Sequence, residues 1–90
     1  MPTIVWTEYL KFRASLRGYN LDALERIVLE SRERYFDTET RRQVVIGRHG
    51  QQLVMIPFDE DQNFITPVTV HSVTRQQIQF RLRTGRLTHE

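Results

Sequence analysis

Apolar residues recur with a helical period in the first third of the chain. The spacing of Tyr9, Phe12 and Leu16 predicts a helix from Glu8 to about Arg17, with these three side chains facing the core. Thr7 is suited to cap its start, because a threonine hydroxyl accepts a hydrogen bond from an unpaired amide of the first turn.

A second helix is predicted from Leu21 to about Ser31. Asn20 is suited to cap its start, and Gly18 permits the left-handed conformation that ends the first helix. So short a link between two helices predicts an antiparallel helical hairpin. The inward stripe of the second helix is formed by Leu21, Leu24, Ile27 and Val28.

From Arg34 onward the apolar period changes toward two, which predicts strands. Pro57 and Pro67 fall within two of them and predict a bulge or an edge, because proline cannot donate to a ladder. The predicted antiparallel meander comprises Arg34–Asp37, Arg42–Arg48, Gln51–Phe58 and Phe64–His71, after a short opening strand at Thr3–Trp6.

The last predicted helix runs from Arg75 to about Thr84. Thr74 and Gln77 have the spacing of a capping box, and Gly85 suits the helix end. The chain is thus predicted to form one α+β domain over residues 1–90: strand, helical hairpin, four-stranded antiparallel meander, C-terminal helix. The aromatic residues assigned to the core are Trp6, Phe12, Phe58 and Phe64.

Composition narrows the class of protein. The chain has 90 residues and no cysteine, which excludes disulfides and cysteine-based zinc sites as sources of stability. Its apolar runs are too short to span a bilayer, and its first residues lack the pattern of a secretory signal. We therefore expect a cytoplasmic protein with no membrane partner.

Charge is distributed unevenly despite a net charge of only +2. No acid occurs between Gln62 and Glu90, whereas four arginines do, and Lys11 is the single lysine among thirteen basic residues. Two interpretations of the arginine preference are open, namely bidentate phosphate recognition and a bias in genomic base composition. The uneven distribution itself predicts a polyanionic partner, most commonly one that presents phosphate groups.

His71 is the first candidate for chemistry. Strict alternation along Phe64–His71 places it on the same face as Ile65 and Pro67, at the strand end and just before the arginine-rich helix. Nearby cations lower the pKa of a histidine, which favours a neutral imidazole able to accept a proton. The alternative is an imidazole that only hydrogen-bonds a loop carbonyl.

Arg75 is the second catalytic candidate, because it stands in the first turn of the last helix, where exposed amides attract anions. The alternative is a solvated side chain. The candidates for RNA and phosphate binding are Arg48, Arg81, Arg83 and Arg86. No HExxH motif, glycine-rich phosphate loop or nucleophile elbow is present, so neither a metal nor a small-molecule cofactor is predicted.

Four short motifs resemble the RelE/ParE toxin superfamily, and BrnT-like toxins in particular. They are Ile4-Val5-Trp6, Tyr35-Phe36-Asp37, Val45-Ile46-Gly47 and Val73-Thr74-Arg75, and the resemblance extends over nearly the whole chain. The resemblance implies a RelE/ParE-like fold. His71 stands where BrnT-like toxins have an arginine, whereas Arg75 matches the late arginine of that family.

The resemblance also implies the function of a small bacterial-type toxin in a type II toxin–antitoxin pair. Such a toxin is a metal-independent endoribonuclease that binds RNA and a protein antitoxin, with His71 and Arg75 as its catalytic residues here. The alternative is a non-catalytic domain of the same fold that binds an acidic protein partner or nucleic acid.

Overall fold

A computed structural model describes residues 2–90 as a mixed sheet covered by helices on both faces. The helices are α1 (Glu8–Arg17), α2 (Leu21–Glu30) and α3 (Arg75–Arg83). The strands are β1 (Thr3–Ile4), β2 (Arg34–Asp37), β3 (Arg42–His49), β4 (Gln52–Glu60), β5 (Phe64–Pro67), β6 (His71–Ser72) and β7 (Leu87–His89).

The α+β class predicted from the sequence is confirmed, but the prediction of a four-stranded sheet is wrong. The described residues form seven strands in the order β1-β5-β4-β3-β2-β7, with β6 paired to β4. The strands β2 to β5 form an antiparallel meander at the centre. β1 adds to it in parallel with β5, and β7 adds antiparallel to β2. A strand as short as β7 carries too little alternation to be predicted.

A bulge interrupts the last predicted strand, Phe64–His71. Pro67 is opposite Phe58 and His71 is opposite Met55, so four steps along one strand face three steps along β4. One extra residue therefore lies between β5 and β6. This agrees with the bulge expected where proline removes a donor from the ladder.

The bulge changes the face on which His71 lies, and the alternation-based prediction is wrong for this reason. Ile65 packs in the cluster beneath α1 and α2, whereas His71 is the register partner of Met55, which packs in the cluster beneath α3. One inserted residue reverses the side-chain alternation of everything that follows it.

Two hydrophobic clusters hold the layers together. The cluster between the sheet and the helices α1 and α2 consists of Leu10, Ala14, Tyr19, Leu24, Ile27, Val28, Val45, Val54, Ile56, Phe58, Ile65 and Val70. The cluster between the sheet and α3 consists of Tyr35, Val44, Ile46, Met55, Val73, Ile78 and Leu87. The continuous apolar run of β3 is explained by this arrangement, because both of its faces are covered.

The inward face of α1 differs from the prediction. Leu10 and Ala14 are buried, whereas Tyr9, Phe12 and Leu16 are 58%, 63% and 69% exposed. The small Ala14 lets the helix lie against the sheet, and the larger apolar side chains point away from it. The core assignment of Phe58 is confirmed, that of Phe12 and Phe64 is wrong because both are exposed, and Trp6 is partly buried.

The helix boundaries follow the capping residues in the sequence. Thr7, Asn20 and Thr74 each accept a hydrogen bond from an amide of the first turn, and Gln77 completes a capping box at α3. Gly18 has a φ of 74°, which ends α1. Within residues 2–90, no helix has the length and apolarity needed to cross a bilayer.

Candidate phosphate-binding cleft

A cleft of about 350 Å³ opens between the sheet and the end of α3. Its floor comes from β4 and β6, and its wall from α3 and the residue before β7. The side chains that give it chemical character are Asp37, Arg42, Met55, His71, Arg81 and Arg86. Three of these are guanidiniums and one is a carboxylate, so the cleft is electropositive.

His71 lies half-buried in this cleft. Burial lowers its pKa below the ordinary histidine value, and the positive charge of Arg81 lowers the pKa further. Arg13, Arg17 and Arg86 act in the same direction. The imidazole is therefore held neutral at physiological pH, in the form that accepts a proton.

Arg81 connects α3 to the floor of the cleft. Its Nη1 lies 3.7 Å from the Sδ of Met55, the register partner of His71 on the neighbouring strand. No ion pair involves Arg81 within residues 2–90. Its charge is thus available to a bound anion beside the imidazole.

Arg86 is positioned by a buried carboxylate. Its Nε and Nη2 lie 3.1 Å and 3.2 Å from the two carboxylate oxygens of Asp37, which is only 5% exposed. Burial tends to raise the pKa of Asp37, but hydrogen bonds from Arg86 and from the amides of Thr40 and Glu39 outweigh it and lower the pKa. Arg86 therefore contributes a fixed, partly neutralised cation.

Arg75 does not line the cleft that contains His71. Its Nη1 lies 2.5 Å from Oε2 of Glu33, an oxygen that also accepts a hydrogen bond from the Tyr35 hydroxyl. The predicted pairing of His71 with Arg75 in one pocket is thus not what the fold assembles. Arg81, predicted only as a phosphate-binding residue, is the guanidinium next to the imidazole.

The remaining predicted binding residues lie apart from the cleft. Arg48 borders a depression against α2, with Arg26 and Glu30. Arg83 is exposed on α3 and does not line the cleft. Of the four arginines predicted to bind phosphate, the fold brings Arg81 and Arg86 together with His71.

Three arginines near His71 escaped the sequence-based selection. Arg42 lines the cleft and is paired with Asp59, 2.9 Å from Nε to Oδ1. Arg13 and Arg17, on α1, contribute positive charge at the imidazole. Their spacing of four residues is visible in the sequence, but which side of α1 faces the sheet is not.

The residues present favour anion binding over metal binding. Within residues 2–90, no group of three or more histidine, cysteine, aspartate and glutamate side chains is arranged to hold a metal ion. A phosphate in the cleft would instead meet the guanidiniums of Arg81 and Arg86 with a neutral imidazole alongside. Such a set can stabilise a phosphorane-like charge and move a proton.

Comparison of the chain with models of known protein families, with curated proteins and with solved structures gave no significant match. The functional interpretation below is therefore based on the geometry of the fold and of the cleft.

Proposed function

We propose that the protein is a metal-independent endoribonuclease whose reaction centre is the cleft around His71. The single observation that carries this proposal is a half-buried imidazole that lines one cleft with the guanidiniums of Arg42, Arg81 and Arg86. RNA supplies both requirements of such a centre, a phosphate to attract and a 2′-hydroxyl to deprotonate beside it.

The proposed chemistry uses the side chains of the chain itself. His71 takes the proton of the 2′-hydroxyl, the 2′-oxygen forms a bond to the adjacent phosphorus, and the bond from phosphorus to the 5′-oxygen breaks. The leaving oxygen receives a proton from the imidazolium or from water, giving a 2′,3′-cyclic phosphate and a 5′-hydroxyl. Arg81 and Arg86 stabilise the charge on the non-bridging oxygens. Arg81 thus takes the role that the sequence assigned to Arg75.

The proposal includes a RelE/ParE-like, BrnT-like identity. The central meander, the preceding helical pair and the final helix support that arrangement. In this reading the protein is the toxin of a type II toxin–antitoxin pair, acts in the cytoplasm and is neutralised by a protein antitoxin.

The test is cleavage of labelled single-stranded RNA in the presence of EDTA. We expect wild type to produce 2′,3′-cyclic phosphate ends, and His71→Ala to cleave about 100-fold more slowly. Arg81→Gln is expected to slow cleavage by a similar factor, since it removes a cation next to the reacting phosphate. Because the base must be neutral and its pKa is lowered, the rate should hold below pH 6.5 and fall only at still lower pH.

Arg48→Gln is the matched control, because it removes a guanidinium that lies outside the cleft. Its cleavage rate should equal that of wild type, and thermal unfolding of each variant separates loss of activity from loss of fold. Absence of cleavage by wild type, or full activity of His71→Ala, contradicts the proposal.

A non-catalytic role in binding is the second candidate. It is favoured by the ion pairs of Arg42 and Arg86, because within residues 2–90 they leave Arg81 as the one cleft guanidinium without an ion pair to stabilise the charge of a transition state. RNA binding that falls steeply with salt, without any cleavage, identifies this role.

A further inference from the structure

A groove of about 600 Å³ runs along one side of α3 and adjoins the cleft that contains His71. Arg81 and Arg86 line both spaces, so the two guanidiniums stand where the groove meets the cleft. Within residues 2–90, no acidic side chain lines the groove. A ligand whose phosphate lies in the cleft can therefore extend into the groove without meeting a carboxylate there.

Phe80 is the apolar surface of this groove. It is 58% exposed, whereas Ile78 is buried in the cluster between the sheet and α3 and Leu82 packs against that cluster. At about 100° per residue, position 80 lies on the opposite side of the helix from position 78. The core therefore does not account for a phenylalanine here, and its ring is open to a ligand.

The polar side chains of the groove lie around Phe80. Gln77 is used within the helix, because its Oε1 accepts a hydrogen bond from the amide of Thr74 in the capping box. Gln76 lies one helical turn before Phe80 and is exposed beside it. Its side-chain amide offers both a donor and an acceptor to a ligand in contact with the ring.

A nucleobase matches this combination of groups. Its flat face stacks on an exposed aromatic ring, its edge hydrogen-bonds an amide, and the phosphate attached through its sugar pairs with arginine. A partner helix matches less well, because helices are recognised through several apolar anchors at helical spacing. Within residues 2–90, Phe80 is the one large apolar side chain that lines the groove.

We propose that the groove is a nucleotide subsite in which Phe80 stacks on an unpaired base next to the phosphate held by Arg81 and Arg86. This subsite rests on the proposed function, because it requires RNA in the cleft. It also narrows the substrate to single-stranded RNA, since a base within a duplex is already stacked and paired. Gln76 hydrogen-bonds the edge of the unpaired base.

The first experiment measures RNA binding without cleavage. It uses the full chain with His71→Ala, a short fluorescent single-stranded RNA, and an otherwise identical strand that lacks the bases. Fluorescence anisotropy should show binding of the RNA about 10-fold tighter than binding of the abasic strand. Addition of Phe80→Ala should weaken RNA binding about 10-fold and leave abasic binding unchanged, because only the stacking contact is removed.

Phe12→Ala is the matched control, because Phe12 on α1 is 63% exposed and lines neither the groove nor the cleft. Its RNA affinity should equal that of the His71→Ala parent. Phe80→Trp keeps an aromatic face and should retain RNA binding within about 2-fold. Binding of duplex RNA should not change with Phe80→Ala.

The second experiment measures cleavage with His71 present. Phe80→Ala should raise KM about 10-fold and leave kcat within about 2-fold, because a stacked base stabilises the bound substrate and the transition state equally. Absence of cleavage by wild type contradicts the proposed function. Cleavage by wild type with an unchanged KM in Phe80→Ala contradicts the subsite alone.

Three binding results overturn the subsite. The first is equal affinity for the RNA and the abasic strand, or no binding of either. The second is unchanged RNA affinity after Phe80→Ala. The third is a wild-type dimer that Phe80→Ala makes monomeric, which assigns the exposed ring to a second copy of the chain.

Discussion

At the scale of single residues, Asp37 is the one charged side chain that is buried in the part of the chain the structure describes, residues 2–90. Its carboxylate accepts two hydrogen bonds from the guanidinium of Arg86. It also accepts hydrogen bonds from the backbone amides of Glu39 and Thr40 in the turn after β2. This one side chain therefore fixes the turn after β2 and holds Arg86, the arginine of the cleft that directly precedes β7.

Asp37→Asn is expected to lower the free energy of unfolding at neutral pH by about 1–2 kcal/mol, because a charge-assisted pair is lost and Arg86 is only partly screened by solvent. Asp59→Asn, which breaks an exposed pair, should cost well under about 1 kcal/mol. Urea unfolding measures both values.

The pH dependence of this effect has a defined sign. The pKa of Asp37 is lowered in the folded state, so its contribution is complete above the unfolded pKa of about 3.9 and is lost as pH falls through the folded value. The difference between wild type and Asp37→Asn should therefore shrink below about pH 4. A difference that grows on acidification contradicts this account.

At the scale of elements, the helix starts could be predicted from the sequence, whereas the buried face of α1 and the face of the sheet on which His71 lies could not. Capping residues fix where a helix begins, so the start at Glu8 and the capping box of α3 could be read locally. Which side of α1 meets the sheet depends on distant packing, and Phe12 has the same spacing whether it points in or out. The bulge before β6 likewise arises from pairing with β4.

The close approach of α2 to β3 is set by Gly47. A Cβ built at this position lies 2.6 Å from Cγ2 and 2.8 Å from Cγ1 of Ile27, so no larger residue fits without movement. Gly47→Ala is expected to cost about 1–3 kcal/mol through overpacking.

A double-mutant cycle tests that contact. Ile27→Ala alone should lower the free energy of unfolding by about 2–4 kcal/mol. The loss in the double variant Ile27→Ala/Gly47→Ala should be smaller than the sum of the two single losses by roughly 1 kcal/mol, because the side-chain atoms of Ile27 that clash with the new Cβ are absent. Gly47→Ala combined with Leu10→Ala, on α1, is the control and should be additive within about 0.5 kcal/mol. Chemical denaturation gives all the values, and full additivity of Gly47→Ala with Ile27→Ala would refute the contact.

At the scale of the whole molecule, charges from separate elements converge on one imidazole. Arg81 and Arg86, from α3 and the segment after it, line the cleft with His71, and the charges of Arg13 and Arg17 on α1 also lower its pKa. No local pattern reveals this convergence, because residues more than fifty positions apart create it. His71 and the excess of arginine could be identified from the sequence. Which arginines lie in the cleft with His71 depends on the fold, which places Arg81 and Arg86 there and pairs Arg75 with Glu33.

The combined charge can be measured through the titration of His71 by NMR, with His71→Gln used for assignment. Arg13→Gln together with Arg17→Gln should raise the His71 pKa toward its ordinary value, because two positive charges near the ring are removed. Arg48→Gln is the control and should leave the pKa unchanged. An unchanged His71 pKa in the double variant would show that the charges of Arg13 and Arg17 do not affect the imidazole.

The edge strands of the sheet within residues 2–90, β1, β6 and β7, are only two, two and three residues long. So few unpaired amides and carbonyls offer another chain very little length along which to extend the sheet. The fold thereby suppresses aggregation by strand addition, and it leaves recognition of other molecules to side chains on its helices and in its cleft.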